Sequence, residues 1–247
     1  MSSHYINPEK LKILEFNTVI IGAGASGLNC ALHLVKEGIP PEEIAIITDK
    51  LGGGTSFNTG SDKQTYYKMS IIGDQKDSPL LMAQDMVSGG AMHGDMALVE
   101  ATNSIREFFH LVELGMPFPH DKYGGFAGYK TDNDPKQRAT SIGPLTSQEM
   151  SKCLLSAIKK ENIKIFDNHY AESLLLNRKK PFKDVIGVQC IDINLLSNTK
   201  NIEDLVDAIV IFKSKNVVLA TGGPAIIYKH SVYPRSQNGT LGLAISA

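Results

Sequence analysis

The chain has 247 residues, enough for one sizeable core or for one domain with a small satellite. Its 25 lysine and arginine residues balance 26 acidic residues to a net charge of −1, so it lacks the basic surplus of a nucleic-acid-binding protein. The apolar stretches are no longer than strands, so no membrane span is expected. The N-terminus lacks the continuous apolar core of a signal peptide. The three widely spaced cysteines, Cys30, Cys153 and Cys190, favour reduced thiols in a cytoplasmic protein.

The first pattern in chain order is a strand, a glycine-rich turn and a helix. Thr18–Ile21 is a β-branched apolar run typical of a buried strand, and Gly22, Gly24 and Gly27 follow it in G-x-G-x-x-G spacing. The first glycine permits the tight turn, the second lets a pyrophosphate approach the backbone, and the third lets helix and strand pack closely. The pattern predicts a dinucleotide site, with a phosphate-free Rossmann turn as the alternative.

The flanking elements support this interpretation. Leu28, Ala31, Leu32 and Val35 form an apolar stripe at helical spacing, and Gly38 is placed to end the helix. A second strand, "EIAIITDK", ends at Thr48 and Asp49. An acidic residue about twenty positions after the glycines commonly binds the adenosine ribose.

Two further stretches bear on whether the dinucleotide is FAD or NAD. The segment 51–68, "LGGGTSFNTGSDKQTYYK", is rich in Gly, Ser, Thr and Asn, so it could surround a pyrophosphate and a flavin ring. The segment 216–228, "NVVLATGGPAIIY", is a strand ending in Ala-Thr-Gly-Gly. The alternative interpretation of the first segment, from its residues alone, is an ordinary surface loop.

The remaining patterns predict helices, a loop-rich region and strands. "SPLLMAQDMVSGG" and "GDMALVEATNSIREFFHLVELG" predict helices, the second with a stripe of Leu98, Ser104, Ile105, Phe108, Phe109 and Val112. Residues 116–141 are dense in Gly, Pro and Asp and predict a loop, followed by a helix over 147–160. "NIKIF" predicts the third parallel strand, and 171–176, 185–193 and 208–212 a small antiparallel meander that returns to a separate strand over 217–220.

Taken together, these segments resemble the flavoprotein subunits of succinate dehydrogenase and fumarate reductase and relatives such as L-aspartate oxidase. The resemblance starts with "VIIGAGASGLNCAL" and the following serine- and glycine-rich loop. It continues through "DMVSGGAMHGDMALVEATNSIREFFHLVELGMPF" and "RATSIGPLTSQEMSKCLLSAIKK" to "VVLATGGPAIIY" and "NGTLGLAISA", covering nearly the whole chain. It favours FAD over NAD.

The resemblance implies an α/β fold: a Rossmann-like FAD-binding domain of the glutathione-reductase type with a parallel sheet. The domain would span 1–247, with a helical insertion at about 62–160 and the β-meander at about 170–213. The implied cofactor contacts are Gly22, Gly24, Ala25, Ser26, Gly27, Thr48, Asp49, Lys50, Gly54, Thr55, Ser56, Asn58, Thr59, Gly60, Ser61, Ala171, Ala220, Thr221 and Gly222. Asn238 and Gly239 match the family's later glycine turn loosely.

The chain departs from the family pattern at two places, and a further part of the family's proteins is expected beyond it. A histidine that bonds covalently to the flavin in succinate- and fumarate-type proteins is replaced by Thr55-Ser56-Phe57, so we expect non-covalent FAD. Ser61 replaces the second glycine of a Gly-Gly pair. The capping domain, which carries the family's catalytic residues, would follow Gly239, so the domain is expected to be incomplete and no catalytic residue is assigned.

Three functional hypotheses follow. The leading one is the FAD-binding part of an oxidoreductase that transfers hydride between flavin and a small carboxylate substrate, with an electron-transfer partner possible. The alternatives are a non-catalytic flavin-binding module and an NAD(P)-dependent Rossmann enzyme.

Other chemically suggestive residues favour structural roles. His33 lies in the first helix, and the remaining histidines show no metal-ligand spacing, so no metal site is expected. Ser26 lacks the G-x-S-x-G spacing of a hydrolase nucleophile. Arg138 lies in the stretch that lines the active-site approach in the resembled family, but a structural ion pair is its expected role. Asp62, Lys63 and Gln64 follow the cofactor loop. They are equally expected to lie at the edge of the flavin or to form a solvated turn.

Overall fold

The computed structural model describes residues 11–61, 64–72, 76–132, 134–177, 184–199, 201–223, 225–234, 236 and 241–247. The strands are β1 (Lys12–Ile21), β2 (Ile44–Ile47), β3 (Tyr66–Tyr67), β4 (Tyr129–Thr131), β5 (Asp134–Thr140), β6 (Lys164–Phe166), β7 (His169–Asn177), β8 (Asp184–Asp192) and β9 (Ile209–Leu219). The α-helices are α1 (Ala25–Lys36), α2 (Thr55–Asn58), α3 (Pro79–Ser88), α4 (Gly94–Glu113), α5 (Thr146–Lys160), α6 (Ile193–Asn198) and α7 (Leu241–Ser246). Short 3₁₀ turns cover Pro41–Glu43, Ile202–Ala208 and Ala225–Ile227.

The chain forms two compact units. The first comprises Met1–Asn58 and Leu154–Ala247, and the second comprises Thr59–Cys153, so the boundary falls within α5. The first unit contains the strand–turn–helix with the glycines and the Ala-Thr-Gly-Gly segment. The second contains α3, α4 and the small sheet of β3, β4 and β5.

The first unit is built on a six-stranded sheet in the order β6-β2-β1-β9-β8-β7. β6, β2, β1 and β9 are mutually parallel, whereas β8 runs antiparallel to β9 and β7 antiparallel to β8. The α/β class with a mainly parallel sheet and an antiparallel meander is therefore confirmed.

β9 is one strand where the sequence predicted two. The prediction of separate strands over 208–212 and 217–220 is wrong, because the polar segment "KSKN" at 213–216 continues the strand between them. Parallel pairing with β1 keeps the segment extended, as Glu15 lies opposite Lys213 and Thr18 opposite Asn216. The Lys213 ammonium also pairs with the Glu15 carboxylate at 3.1 Å. β9 thus belongs to both the parallel sheet and the meander.

The six-stranded sheet curls over its own core. β6 and β7 lie at opposite ends of the strand order, yet only Asp167 and Asn168 separate them in the chain. The enclosed core contains the buried residues Val19, Ile21, Ala45, Ile47, Ala171, Val188, Cys190, Val210, Phe212 and Leu243. Burial raises the pKa of the Cys190 thiol to about 12, which keeps it protonated and suits a packing role.

Helix α1 agrees with its sequence pattern. Leu28, Ala31 and Leu32 are buried against the sheet. The helix ends before Gly38, which adopts a φ of +93° and donates its N–H to the Val35 carbonyl at 2.9 Å. Glycine reaches this left-handed conformation without steric cost, which explains why the helix ends there.

In the second unit, α4 buries part of the predicted stripe, Ser104 and Phe108, together with residues outside it. Ala97, Ala101, Ser104, Phe108 and Leu111 are buried, whereas Leu98 and Phe109 are 43% and 39% exposed. The small alanines let α4 approach Met82 and Ala83 of α3. A prediction based on the large apolar residues was therefore wrong for part of the packed face of α4.

The region predicted as a loop over 116–141 contains two strands. β5 pairs antiparallel with β3 and β4 in a three-stranded sheet. A Cβ on Gly128 would lie 2.2 Å from the Gln137 carbonyl oxygen, so the glycine permits close strand approach here. The Gly- and Asp-rich residues around these strands are typical of loops, which is why the sequence did not predict the sheet.

Arg138 lies at the centre of a buried charge cluster in the second unit, in agreement with the expected structural ion pair. Its guanidinium contacts Asp77 and Asp85 at 2.7 Å each, and the side chains of Arg138 and Asp77 are 0% exposed. Burial opposes ionisation of Asp77, but hydrogen bonds from Arg138 and from the Ser70 and Ser78 backbone N–H groups outweigh it and lower the pKa of Asp77 to about 2.

Replacing the central cation tests this cluster. Arg138→Met leaves the Asp77 carboxylate buried without its cation, so we expect the free energy of unfolding to fall by about 3 kcal/mol at pH 7. Urea denaturation measures the change. The matched control is Arg106→Met, because the Arg106 side chain is 70% exposed; it should change stability by less than about 0.5 kcal/mol.

The pH dependence gives a second check on the same cluster. The folded pKa of Asp77 is depressed, so its ionisation stabilises the fold above the unfolded value of about 4 and this contribution is lost as the pH falls toward 2. The stability gap between wild type and Arg138→Met should therefore shrink over that interval. A constant gap would contradict the assignment.

Candidate functional site

A cavity of about 500 Å³ opens in the first unit at the carboxyl ends of β1, β2 and β9. Ligands of open parallel α/β sheets bind at this edge of the sheet. The cavity joins the glycine turn after β1 to the Ala-Thr-Gly-Gly segment after β9. The predicted residues that line it are Gly22, Gly24, Ser26, Thr48, Asp49, Lys50, Gly54, Thr55, Ser56, Ala171, Ala220, Thr221 and Gly222.

The turn after β1 requires glycine for space and for conformation. Gly22 has a φ of +114°, and its N–H donates to the Ile47 carbonyl at 2.8 Å. A Cβ at this position would lie 2.3 Å from the Ala220 carbonyl oxygen. A Cβ on Gly27 would lie 2.0 Å from the Gly22 carbonyl oxygen. The two glycines therefore hold β1, β9 and α1 in close contact.

Gly24 has a different role, because its lack of a side chain leaves room in the cavity. As the residue before α1 it has an extended conformation and no capping side chain. A Cβ there would meet Ser56 Oγ at 3.3 Å as its one described neighbour within 4 Å. Ala25, the first helical residue, donates its backbone N–H to the same hydroxyl at 3.2 Å. The positive end of the α1 dipole thus faces the cavity.

The end of β2 supplies an acidic group. Thr48 is buried, and Asp49 is half-buried with Lys50 exposed beside it. Burial raises the pKa of the Asp49 carboxyl, and the negative charge of Asp167 acts in the same direction. A carboxylate in such surroundings is stabilised by hydroxyl donors, which a ribose provides.

The loop after β2 is braced internally. Asn58 donates from its amide nitrogen to the carbonyls of Gly52 and Gly54 at 2.6 and 2.8 Å. Gly52 has a φ of +74°, and Ser236 donates its hydroxyl to the Gly53 carbonyl. The loop therefore presents Thr55 and Ser56 to the cavity, while Asn58 supports them from outside it.

Several predicted contacts lie outside the cavity wall. Thr59, Gly60 and Ser61 belong to the second unit, where the Ser61 N–H donates to the Pro144 carbonyl at 3.0 Å. Gln64 braces the same segment, donating to Thr59 Oγ1 and accepting from the Ser147 N–H. Gly27 is buried and Ala25 half-buried, and neither lines the cavity. Asp62, Lys63, Asn238 and Gly239 lie outside the described residues.

Some lining residues were missed by sequence reasoning. They are Ile21, Ala23, Ile47, His169, Tyr170, Gly223, Tyr228, Tyr233 and Ser236. Proximity to recognised strands could have identified Ala23 and Gly223. His169 and Tyr170 reach the cavity only because the sheet curls, and no local pattern indicates that.

The described part of the chain contains no group of three His, Cys, Asp or Glu side chains able to hold a metal ion. Among the helices in those same residues, none combines the length and apolarity needed to cross a membrane.

A parallel sheet whose first strand leads through three glycines into a helix, with an acidic residue after the second strand, defines a dinucleotide-binding α/β domain. Residues 17–246 match the family of FAD binding domains, and the chain belongs to that family. It is therefore an FAD-binding domain.

Named relatives are similar over most of this chain. L-aspartate oxidase 2-a of Nicotiana tabacum is 27% identical over 232 residues, which cover 91% of this chain and 32% of the tobacco protein. The succinate dehydrogenase flavoprotein subunit of Rickettsia felis is 24% identical over 223 residues, covering 85% of this chain and 33% of its own length. This chain spans about a third of the length of these relatives.

Solved structures share the fold. E. coli quinol fumarate reductase FrdA superposes with a TM-score of 0.77 at 19% identity, over 96% of this chain and 37% of that one. The Mycobacterium smegmatis Sdh1 complex in its apo form gives a TM-score of 0.79 at 21% identity, over 96% and 39%.

The close packing at Gly27 generates a stability prediction. The Cβ of Gly27→Ala would overlap the Gly22 backbone, which cannot move without shifting β1 or β9. We expect the free energy of unfolding to fall by about 2 kcal/mol in urea denaturation without cofactor.

Gly94→Ala is the matched control, because nothing lies within 4 Å of a Cβ at the start of α4. This change should alter stability by less than about 1 kcal/mol. Equal stability of the wild type and Gly27→Ala would contradict the packing role of Gly27.

Proposed function

We propose that FAD lies along the first unit's cavity, bound non-covalently, and that the whole protein is a flavin-dependent oxidoreductase acting on a small carboxylate substrate. The observation that carries this proposal is the single cavity shared by Gly22, Gly24 and the Ala220–Gly222 segment. The extent of the domain over 1–247, with an insertion at about 62–160, belongs to the same proposal.

The cavity residues fit the parts of FAD. The start of α1, with Gly24 and Ser26, provides backbone N–H groups and a positive dipole for the pyrophosphate. Asp49 provides an acceptor for the adenosine ribose, and Ala171 provides backbone beside the adenine. Thr55, Ser56 and the 220–222 backbone provide polar groups for the flavin end.

The chemistry and the substrate class rest on the relatives. Bound FAD supplies reversible hydride acceptance, while the protein supplies orientation and electrostatics. The relatives' names, L-aspartate oxidase and succinate dehydrogenase, indicate carboxylate substrates. A partner that exchanges electrons with the flavin is part of the same proposal, as is a cytoplasmic location, which the free cysteines favour.

A Gly24 substitution tests the cofactor site. The purified protein should be yellow, or become so with added FAD. Gly24→Leu fills the space before α1 without crowding the backbone, so the Kd for FAD should rise at least about tenfold, measured by flavin fluorescence titration.

The matched control is Gly94→Leu, an exposed site outside the first unit, which should leave the Kd unchanged. A wild-type protein that ignores FAD but binds NADH would overturn the proposal. Flavin binding without turnover of any small carboxylate by the whole protein would favour the non-catalytic module.

Non-covalent attachment is tested by denaturation. Thr55, Ser56 and Phe57 offer no imidazole at the place of the resembled family's flavin-linked histidine. Acid precipitation of the flavin-loaded protein should release all flavin into the supernatant. Flavin fluorescence remaining with the polypeptide on a denaturing gel would contradict this expectation.

A further inference from the structure

The two-residue turn between β6 and β7 is joined to the end of β2 by main-chain hydrogen bonds. The Thr48 N–H donates to the Phe166 carbonyl at 3.0 Å, and the His169 N–H donates to the Thr48 carbonyl at 2.9 Å. Both main-chain polar groups of Thr48 are therefore bonded to the β6–β7 segment.

After Thr48, the β6–β7 turn is bonded to the chain by a side chain instead of by the main chain. Asp167 Oδ1 accepts a hydrogen bond from the Leu51 N–H at 2.7 Å and another from the Asn168 N–H at 2.8 Å. Asp49 and Lys50 are thus the two residues between two anchored positions, Thr48 and Leu51. Short N–H···carboxylate bonds are stronger than neutral ones, so this anchor is effective even at an exposed site.

The residues that follow Asp167 are held in place by hydrogen bonds and by packing in the core. Asn168 adopts a left-handed conformation with a φ of +58°, and its carbonyl accepts from the Ile193 N–H at 2.8 Å. The Asp167 carbonyl lies 2.8 Å from His169 Nδ1, and the His169 ring packs against Phe166 and Phe212. The position of the carboxylate is therefore set by the core of the curled sheet.

We propose that Asp167 is a positioning residue for the adenosine end of the cofactor site, fixing the turn that carries Asp49. Asp167 is exposed and does not line the cavity, so it acts through Leu51 rather than by touching the ligand. The inference rests on the proposed placement of the ribose at Asp49. It accounts for a carboxylate near Asp49 that would otherwise only repel it.

The test uses two variants that separate the hydrogen bond from the charge. Asp167→Ala removes the acceptor, and the Kd for FAD should rise roughly tenfold, as expected for one lost charge-assisted bond. Because the turn serves the adenosine end, the inhibition constant of ADP against FAD should rise by the same factor. Asp167→Asn retains Oδ1 as a weaker, neutral acceptor, so both constants should rise by no more than roughly threefold, clearly less than in the alanine variant.

Amide hydrogen exchange of Leu51 without cofactor reports on the anchor directly. Exchange should accelerate in Asp167→Ala and remain slow in Asp167→Asn, whereas the exposed control Glu161→Ala should change neither exchange nor affinity. Asp167→Ser, whose hydroxyl is too short to reach Leu51, should repeat the alanine result if the alanine variant folds poorly.

The outcomes separate the two proposals. Unchanged FAD and ADP constants in a folded Asp167→Ala variant would overturn the positioning role, and so would an equal loss in Asp167→Asn, which would indicate a charge effect alone. If the wild type bound no FAD, the proposed function would fail, while protection of the Leu51 amide would still show whether the anchor exists.

Discussion

The close approach of the backbone at Gly22 to that at Ala220 is the constraint on which the first unit depends. The Ala220 N–H donates to the Ile21 carbonyl and the Gly22 N–H to the Ile47 carbonyl, both at 2.8 Å, so the ends of β9, β1 and β2 are tied side by side. Any side chain at position 22 would overlap the Ala220 carbonyl. Because the strands end together, backbone from two distant parts of the chain shares one cavity.

The second constraint is the curl of the sheet. Phe16, Phe166, Phe212 and the His169 ring contact one another inside it, with ring centroids 4.8 to 6.3 Å apart. This packing brings the start of β7 over the end of β2, so a strand from the antiparallel meander contributes to a cavity otherwise built from parallel strands. The His169 ring belongs to this packing and also lines the cavity, so the apolar core directly supports that part of the cavity wall.

Much of this arrangement was predictable because its signals are local. The strand, glycine turn and helix over 18–38 have characteristic spacing, and Asp49 follows a short apolar strand. The continuity of β9 was not predictable, since "KSKN" is held extended by β1, a partner distant in sequence. Part of the packed face of α4 was missed because Ala97 and Ala101 bury little area themselves yet let α4 approach α3. His169 and Asp167 matter through tertiary placement, for which the sequence carries no periodic signal.

The pairing of β1 with β9 also determines when the cofactor site can form. Thr18 and Asn216 lie opposite each other although they are 198 positions apart in the chain. As the polypeptide leaves the ribosome, β1 can pair with β2 early, but its other edge stays open until β9 has been synthesised. An open apolar strand edge invites association with other chains, and pairing over such a separation is slow. The cavity shared by Gly22 and Ala220 is therefore completed late in biogenesis, after β9 has closed that edge.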